Sequence, residues 1–224
     1  MPSGSIVISL SGLDGAGKST QISMIEEYCQ SRGLQTKILV MYDDVSLSNR
    51  LQRLLQPWKP RIRPARKKMN RARPSVDSRG LRVDKNFFSW PTFVVKPFAY
   101  VADVLLLRIQ LAKLSRQCDV VTCDRFIYDT LVNLIALRDN SFVRAFIRMA
   151  LTLAPRPDIA VLLDVPAEVA FARKPEYPVE YGTKRLKGYG YVFSTLSAGR
   201  KVYASGARES MFEAIREALD ELTA

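Results

Sequence analysis

One short segment constrains the fold of this 224-residue chain more than any other, the glycine-rich turn GLDGAGKST at residues 12–20. It follows an apolar run at 5–11, typical of a buried parallel strand, and leads into an amphipathic segment at 18–32. Gly12, Gly17, Lys18 and Ser19 fit the pattern Gly-x-x-x-x-Gly-Lys-Ser. In this pattern, glycine lets backbone N–H groups approach a phosphate, lysine neutralises the terminal phosphates and the hydroxyl binds Mg²⁺. The turn therefore predicts binding of ATP or GTP.

The rest of the chain alternates short apolar runs with longer segments of helical periodicity. Further strands are predicted at 37–42, 119–123, 159–165 and, more weakly, 200–203. Helices are predicted at 98–117, 128–152, 166–174, 179–197 and 208–222. This alternation indicates an α/β fold in three layers, with a mainly parallel five-stranded sheet between helices and ligands beyond the carboxyl ends of the strands. We expect a single domain over residues 1–224, with an insertion at 57–90.

Composition excludes several kinds of site. The chain has no His, which removes imidazole bases, Ser-His and Cys-His nucleophile pairs and His-ligated zinc. Its three Cys include no CxxC pair, so neither a disulfide framework nor a zinc knuckle is predicted. The amino-terminal segment has no basic part before its short apolar run, and no apolar stretch of about 18 residues occurs. We expect a cytoplasmic protein that does not span a membrane.

The formal net charge of +12 is concentrated in one segment. Residues 57–74, PWKPRIRPARKKMNRARP, contain eight Lys and Arg, four Pro and no acid. The prolines exclude a regular helix, so a loop outside the core is predicted. Three interpretations stay open: a solvated excursion, a surface for an anionic partner such as lipid headgroups or nucleic acid, and a clamp on a phosphorylated substrate.

A pair of charged residues follows the predicted strand 119–123. Asp124 would face the glycine-rich turn across the sheet, where a carboxylate can support Mg²⁺. Arg125 beside it can grip a phosphate through its forked guanidinium. The alternative is an ordinary helix-capping Asp followed by a surface Arg.

The segment 171–191, FARKPEYPVEYGTKRLKGYGY, is the third candidate. It contains five Lys and Arg together with two Pro and three Gly. This combination predicts a hinged cationic lid that closes over the γ-phosphoryl group and excludes water. A solvated basic helix is the alternative.

Taken in order, these segments resemble the thymidylate kinase family of P-loop kinases. The turn 12–20 is similar to the family's nucleotide loop, and DRFIYDTL at 124–131 to its Asp-Arg-aromatic segment. PDIAVLLDVPAEVAFAR at 157–173 resembles the fourth strand and following helix, and VYASGARESMFEAIREAL at 202–219 the terminal strand and helix beside adenine. The resemblance spans most of the chain, is poorest over 57–90, and implies ATP and Mg²⁺ as cofactors.

The resemblance also implies roles for individual residues. The implied nucleotide-binding residues are Gly12, Asp14, Gly15, Ala16, Gly17, Lys18, Ser19, Thr20, Ala204, Ser205, Gly206 and Ala207. Ser19 and Asp124 are implied as metal ligands, and Lys18, Asp124 and Arg125 as catalytic. Some family members carry Arg directly after the loop acid, where this chain has Gly15. The lid is then expected to supply the catalytic arginine, with Arg173 as the first choice and Arg185 as the second.

The acceptor region departs from the family pattern. Family members usually carry Arg after the acid that corresponds to Asp103, and this chain has Val104 there. The candidate acceptor-binding residues are Asp43, Arg50, Asp103, Arg108 and Arg125.

Three functions follow as hypotheses. The first is a nucleoside monophosphate kinase, by family default converting dTMP and ATP to dTDP and ADP; a phosphate acceptor is already ionised and needs no general base. The second is a P-loop kinase for a sugar, glycolipid or other non-nucleotide acceptor at an anionic membrane surface, reached through 57–74. The third is a nucleotide-binding regulator without turnover. We expect no specific nucleic-acid partner, and the family tendency indicates a homodimer through helices at 92–117 and 128–152.

Overall fold

The structure is a computed structural model that describes residues 5–41, 90–196 and 199–223, with the backbone alone for 90–99. The described strands are β1 (Ile6–Gly12), β2 (Thr36–Val40), β3 (Val120–Asp124), β4 (Ile159–Leu163) and β5 (Arg200–Ala204). The described helices are α1 (Lys18–Ser31), α2 (Trp90–Leu114), α3 (Ile127–Leu137), α4 (Ser141–Leu153), α5 (Ala167–Arg173), α6 (Val179–Thr195) and α7 (Arg208–Thr223). Asp43, Arg50 and the basic segment 57–74 lie outside the described residues.

The five strands form one sheet in the order β2-β3-β1-β4-β5, and every pairing is parallel. This confirms the predicted α/β class and its parallel sheet. The central strand β1 is apolar where it is most covered, with Ile8 and Leu10 fully buried, as a strand with helices on both faces requires. Leu10 pairs with Asp124 on β3, and Gly12 pairs with Leu163 on β4. The turn after β1 therefore lies at the carboxyl edge of the sheet, between the ends of its two neighbours.

Helices cover the sheet in separate layers. α1 and α7 pack together, with the rings of Tyr28 and Phe212 edge to face at 6.0 Å between centroids. α3 packs against β1 and against α6. α2 contacts α4 through Tyr100, whose hydroxyl donates to the carbonyl oxygen of Ala150 at 3.3 Å. In the part of the chain that the structure describes, no helix is long and apolar enough to cross a lipid bilayer.

The helix predicted at 128–152 is two helices. Arg138 is extended and ends α3, and the side-chain oxygen of Asn140 accepts a hydrogen bond from the N–H of Val143 at 2.9 Å to cap α4. An N-terminal Asn cap satisfies a backbone donor that would otherwise lack a partner. The apolar periodicity continues on both sides of the break, so periodicity alone does not reveal it.

The glycines of the segment 171–191 lie inside the continuous helix α6 and not at a hinge. A Cβ atom on Gly188 would lie 2.8 Å from Cγ2 of Ile135 on α3, and one on Gly182 would lie 3.1 Å from Cβ of Ala167 on α5. Both distances are shorter than ordinary carbon–carbon contacts. These two glycines therefore allow α6 to pack closely against α3 and α5.

Candidate functional site

The glycine-rich turn has the backbone that a phosphate cradle needs. Gly15 and Gly17 have φ angles of 89° and 99°, in the left-handed region that glycine adopts at little cost. α1 begins directly after Gly17, and no side chain caps its first turn. The first N–H groups of a helix lack partners within the helix and favour an anion. The turn thus presents open backbone donors at the carboxyl edge of the sheet.

Lys18 lies within the turn and is almost fully buried. Its Nζ donates to the carbonyl oxygens of Gly12, at 3.0 Å, and Leu13, at 2.7 Å. Burial, assisted by repulsion from Arg125, lowers the pKa of Lys18 from 10.5 to about 8. The ammonium is therefore mostly charged at neutral pH and loses its proton slightly above it.

Asp14 is the meeting point of three cations. It contacts the guanidinium of Arg125, lies 3.8 Å from Nζ of Lys18 and accepts from Nη1 of Arg185 at 3.3 Å. Burial opposes the charge of Asp14, but attraction to Arg125, Lys18 and Arg185 outweighs it and holds the carboxyl pKa below its usual value. Asp14 is therefore an ionised carboxylate that links the turn to β3 and α6.

Asp124 offers a place for a metal ion. Its Oδ1 atom is buried and has no hydrogen-bond partner in the structure, and an unsatisfied buried carboxylate oxygen is costly without a cation or donor. Ser19 and Asp124 line the same cavity. The two side chains therefore fit Mg²⁺ as predicted ligands. Within the described ranges no group of three or more Cys, Asp and Glu could hold a metal, so a bound Mg²⁺ would take its other ligands from phosphate oxygens and water.

Arg125 has an uncommon backbone conformation. Its φ angle is 66°, and its N–H donates to the carbonyl oxygen of Leu10 at 3.0 Å. A non-glycine residue in this region is strained, and such strain is concentrated at functional sites. The guanidinium contacts Asp14 and reaches Oδ1 of Asp129 at 3.4 Å. The turn between β3 and α3 thus directs this arginine toward the glycine-rich turn.

A cavity of about 720 Å³ opens beside the turn, a volume suited to a small-molecule ligand. Its lining combines the turn, the end of β3, the end of α5 and the start of α7. The lining residues are Asp14, Gly15, Gly17, Lys18, Ser19, Thr20, Gln21, Asp124, Arg125, Arg173, Lys174, Arg208 and Met211. Five of them are Lys or Arg and two are Asp, so the cavity favours an anionic ligand.

The structure places the two predicted lid arginines differently. Arg173 is exposed at the end of α5 and lines the large cavity. Arg185 on α6 is 4% exposed, lies beside that cavity, and contacts Asp14 and the hydroxyl of Tyr189. Burial favours the neutral form of Arg185, but the nearby oxygens of Tyr189, Asp129 and Asp14 outweigh burial and raise its pKa. Arg185 is therefore a fixed cation, and Arg173 is an exposed one.

The structure brings several more residues to the site, of which Lys174 was predicted only as part of the cationic lid segment. Lys174 and Arg208 line the cavity, and Asp129 and Tyr189 are fully buried behind it. Asp129 was a visible signal, because it is the single acid in the apolar helix IYDTLVNLIAL. Asp129 and Tyr189 each follow a site arginine by four residues, the spacing at which helical side chains meet.

The segment implied to lie beside adenine follows β5. Ala204 is buried, and residues 205–207 are exposed. Gln21 of α1 donates through Nε2 to the carbonyl oxygen of Arg208 at 2.9 Å. This hydrogen bond brings residues 204–207 close to the helix that begins in the glycine-rich turn.

The described acceptor candidates on α2 are not among the described residues that line the cavity. Val104 is 3% exposed and belongs to the core. Arg108 donates through Nη2 to the carbonyl oxygen of Leu153 at 2.9 Å, at the end of α4. Neither Asp103 nor Arg108 is among the described residues that line the cavity. Of the three described acceptor candidates, Arg125 is the one that the structure brings to the glycine-rich turn.

The parallel sheet, its strand order and the glycine-rich turn after the central strand define an α/β fold of the P-loop kinase type. A protein described as a probable thymidylate kinase from Pyrococcus abyssi (strain GE5 / Orsay) is 25% identical over 164 residues, which cover 73% of this chain and 67% of that protein. A second probable thymidylate kinase, from Pyrococcus horikoshii, is 24% identical over 174 residues, which cover 74% and 68% of the two chains. No protein-family model matches the chain. The two similarities support the thymidylate kinase-like resemblance of the motifs.

Proposed function

We propose that this protein is an ATP- and Mg²⁺-dependent phosphotransferase of the thymidylate kinase-like type, acting on a nucleoside monophosphate. The observation that carries the proposal is one cavity that contains the glycine-rich turn, Asp124 with its unpartnered oxygen, and Arg125. The similarity to two probable thymidylate kinases supports a nucleotide kinase role. By that similarity, dTMP is the first acceptor to test. The proposed catalytic unit is one domain over 1–224, with the insertion 57–90 and a lid within 171–191.

The proposed chemistry needs positioning and charge, not a general base. A phosphate monoester acceptor is ionised at neutral pH, so its oxygen can attack directly. Lys18 and the backbone of the turn would bind the β- and γ-phosphates, and Ser19 with Asp124 would hold Mg²⁺. When bound, the metal neutralises charge on the phosphates. Arg125 would orient the acceptor phosphate, and a lid arginine would stabilise the charge that develops during transfer.

A coupled assay of ADP release tests the proposal. The purified chain is assayed with ATP, Mg²⁺ and a panel of nucleoside monophosphates that includes dTMP. We expect ADP release with at least one of them, and a loss of about 100-fold or more in Lys18→Ala. Lys37→Ala is the matched control, because Lys37 lies on β2 and its Nζ contacts Gln117 at 2.9 Å, outside the site. ATP binding without ADP release for any monophosphate would reject the proposal.

A second candidate keeps the kinase and changes the acceptor to a sugar or other non-nucleotide phosphate. The observation in its favour comes from α2. Buried Val104 stands there in place of the arginine that thymidylate kinases usually carry, and Arg108 contacts α4. The same assay with sugar monophosphates separates the two candidates. Turnover with these acceptors and none with nucleotides would select the second.

Two proposed partners accompany this function. A homodimer through α2 is supported by an exposed apolar stripe, Val101, Leu105 and Ile109, which are 42%, 55% and 63% exposed. Sedimentation equilibrium of the wild type and of Leu105→Lys tests it, and a monomeric wild type would reject it.

The second proposed partner is an anionic membrane surface, which would bind residues 57–74. Cosedimentation with anionic vesicles tests this binding, and we expect the cosedimentation to be lost when 57–74 is deleted.

A further inference from the structure

A chain of buried polar side chains lies behind the candidate site. The Oγ of Ser11 donates to Oδ2 of Asp129 at 3.0 Å, and the hydroxyl of Tyr189 donates to Oδ1 of Asp129 at 2.5 Å. The same Tyr189 oxygen accepts from Nη2 of Arg185 at 3.2 Å. Asp129, Tyr189 and Ser11 are fully buried. These hydrogen bonds therefore join β1, α3 and α6 through one carboxylate.

Both oxygens of Asp129 are fully used. Besides Ser11, Oδ2 accepts from the N–H of Phe126 at 3.1 Å, and Oδ1 also lies 3.4 Å from Nη1 of Arg125. A buried carboxylate is costly unless it is paired and hydrogen-bonded, and even a satisfied buried ion pair is weak evidence of added stability. The role of Asp129 therefore lies in the geometry that it imposes on its neighbours.

One atom, Oδ1 of Asp129, is shared by the routes to both arginines of the site. It contacts Arg125 directly, and it orients the Tyr189 hydroxyl so that the oxygen lone pairs face Arg185. Arg125 and Arg185 in turn contact the two carboxylate oxygens of Asp14, one each. The two guanidinium groups are thus fixed on both sides, by Asp14 at the turn and by the Asp129–Tyr189 pair behind it.

We propose that Asp129 and Tyr189 are positioning residues that fix Arg125 and Arg185 against the glycine-rich turn for phosphoryl transfer. This inference rests on the proposed function, in which Arg125 and a lid arginine act on the reacting phosphates. It assigns the arginine supplied by the lid segment to Arg185, because Arg185 is the lid arginine that the pair holds. Position 15, after the loop acid, has no room for an arginine, because a Cβ atom on Gly15 would lie 2.3 Å from the carbonyl oxygen of Ala170.

A purely structural role makes a different prediction. Asp129 also caps α3 through the N–H of Phe126, and the Tyr189 ring is part of the core. If that were the whole role, loss of the Tyr189 hydroxyl would lower thermal stability and leave turnover per folded molecule unchanged. A positioning role predicts a loss of kcat that depends on the presence of Arg185.

The first test compares two tyrosines on the same helix. Tyr189→Phe removes the hydroxyl and keeps the ring, and we expect kcat for ADP release to fall roughly 10- to 100-fold, with KM for ATP changed less than about twofold. Tyr191→Phe is the matched control, because its hydroxyl contacts Nε of Arg148 at 3.2 Å on the surface. We expect this control to keep the wild-type kcat. Equal kcat values for Tyr189→Phe and wild type would overturn the proposal.

The second test is a double-mutant cycle with Arg185→Ala. If Tyr189 acts through Arg185, adding Tyr189→Phe to Arg185→Ala causes no further loss of kcat. Losses that multiply would show that Tyr189 acts independently of Arg185 and would overturn the proposal. Asp129→Asn extends the cycle to the carboxylate, and Tyr189→Phe alone decides the outcome if the Asn variant does not fold.

A third measurement does not depend on turnover. In protein with ¹⁵N-labelled arginine, the guanidinium signals of Arg185 are assigned by their loss in Arg185→Lys. We expect slow solvent exchange and hindered rotation of this group in the wild type, and faster exchange and rotation in Tyr189→Phe. Unchanged Arg185 signals in that variant would refute the positioning contact. Absence of ADP release from the wild type, with this spectroscopic difference present, would instead refute the proposed function.

Discussion

Raising the pH from 7 to 9 is expected to weaken ATP binding about tenfold, because Lys18 loses its charge within that range. Burial lowers the pKa of Lys18 to about 8. In the protein without nucleotide, about one-tenth of Lys18 is neutral at pH 7 and about nine-tenths at pH 9. A triphosphate binds the ammonium form and raises the pKa of Lys18 again. Above pH 8, each pH unit therefore costs up to about 1.4 kcal/mol of binding free energy.

Proton uptake measures this linkage directly. Titration calorimetry with a non-hydrolysable ATP analogue and Mg²⁺, in buffers of different ionisation enthalpy, gives the number of protons taken up on binding. We expect about half a proton at pH 8 and about nine-tenths at pH 9. Neither His nor Cys123 contributes to the background, because the chain has no His and burial raises the pKa of Cys123 to about 12.

Lys18→Arg supplies the control, since a guanidinium keeps its charge throughout this range. We expect this variant to bind the analogue with a pH dependence that lacks the Lys18 contribution, and Lys37→Arg to behave like the wild type. An affinity that stays constant between pH 7 and 9 would refute the assignment of the titration to Lys18. Equal proton uptake by the wild type and Lys18→Arg would refute it as well.

Four further substitutions test the geometry of the site and the fold. Gly15→Ala is expected to lower the free energy of unfolding by about 3 kcal/mol or more, and Gly17→Ala by about 1 kcal/mol. A Cβ at position 15 would meet the carbonyl oxygen of Ala170, whereas one at position 17 has no atom within 4 Å. Equal losses in urea unfolding would contradict this difference. Asp14→Asn leaves three cations without their shared carboxylate and is expected to cost about 3 kcal/mol in the same assay, and a loss under about 1 kcal/mol would argue against a shared ion-pair role. Asn140→Ala removes a helix cap and should cost about 1 kcal/mol by thermal unfolding with ADP release unchanged, so a change in kcat would show that α4 affects the site.

The sequence predicted the parts of the site that local pattern determines. The glycine-rich turn is a contiguous motif, and Asp124 directly ends an apolar strand, so parallel pairing places both at the same edge of the sheet. The left-handed backbone of Arg125 was not predictable, because an arginine has no intrinsic preference for it. The surrounding contacts, including its N–H to Leu10, hold it there.

The parts of the site that the sequence could not predict depend on how the helices pack against each other. The proposed choice of Arg185 over Arg173 depends on which face of α6 packs toward the turn, and Gly188 and Gly182 allow that packing to be close. Flexibility is the usual inference from glycine in a basic segment, but here the missing side chains permit close contact. The buried pair Asp129 and Tyr189 joins two helices far apart in the chain, and such a contact has no local signal beyond an acid in an apolar stretch.

The close approach of α3 and α6 at Gly188 limits what can move during a catalytic cycle. Because Ile135 and Val132 lie directly against Gly188, we expect α3 and α6 to move together as one unit. Arg185 lies on α6, and α3 starts just after Arg125. A rotation of this two-helix unit would shift both guanidinium groups by similar amounts and keep their spacing. Within the described residues, the linker 174–178 joins α5 to α6, so a fluorescent reporter of nucleotide-induced rearrangement belongs on that linker.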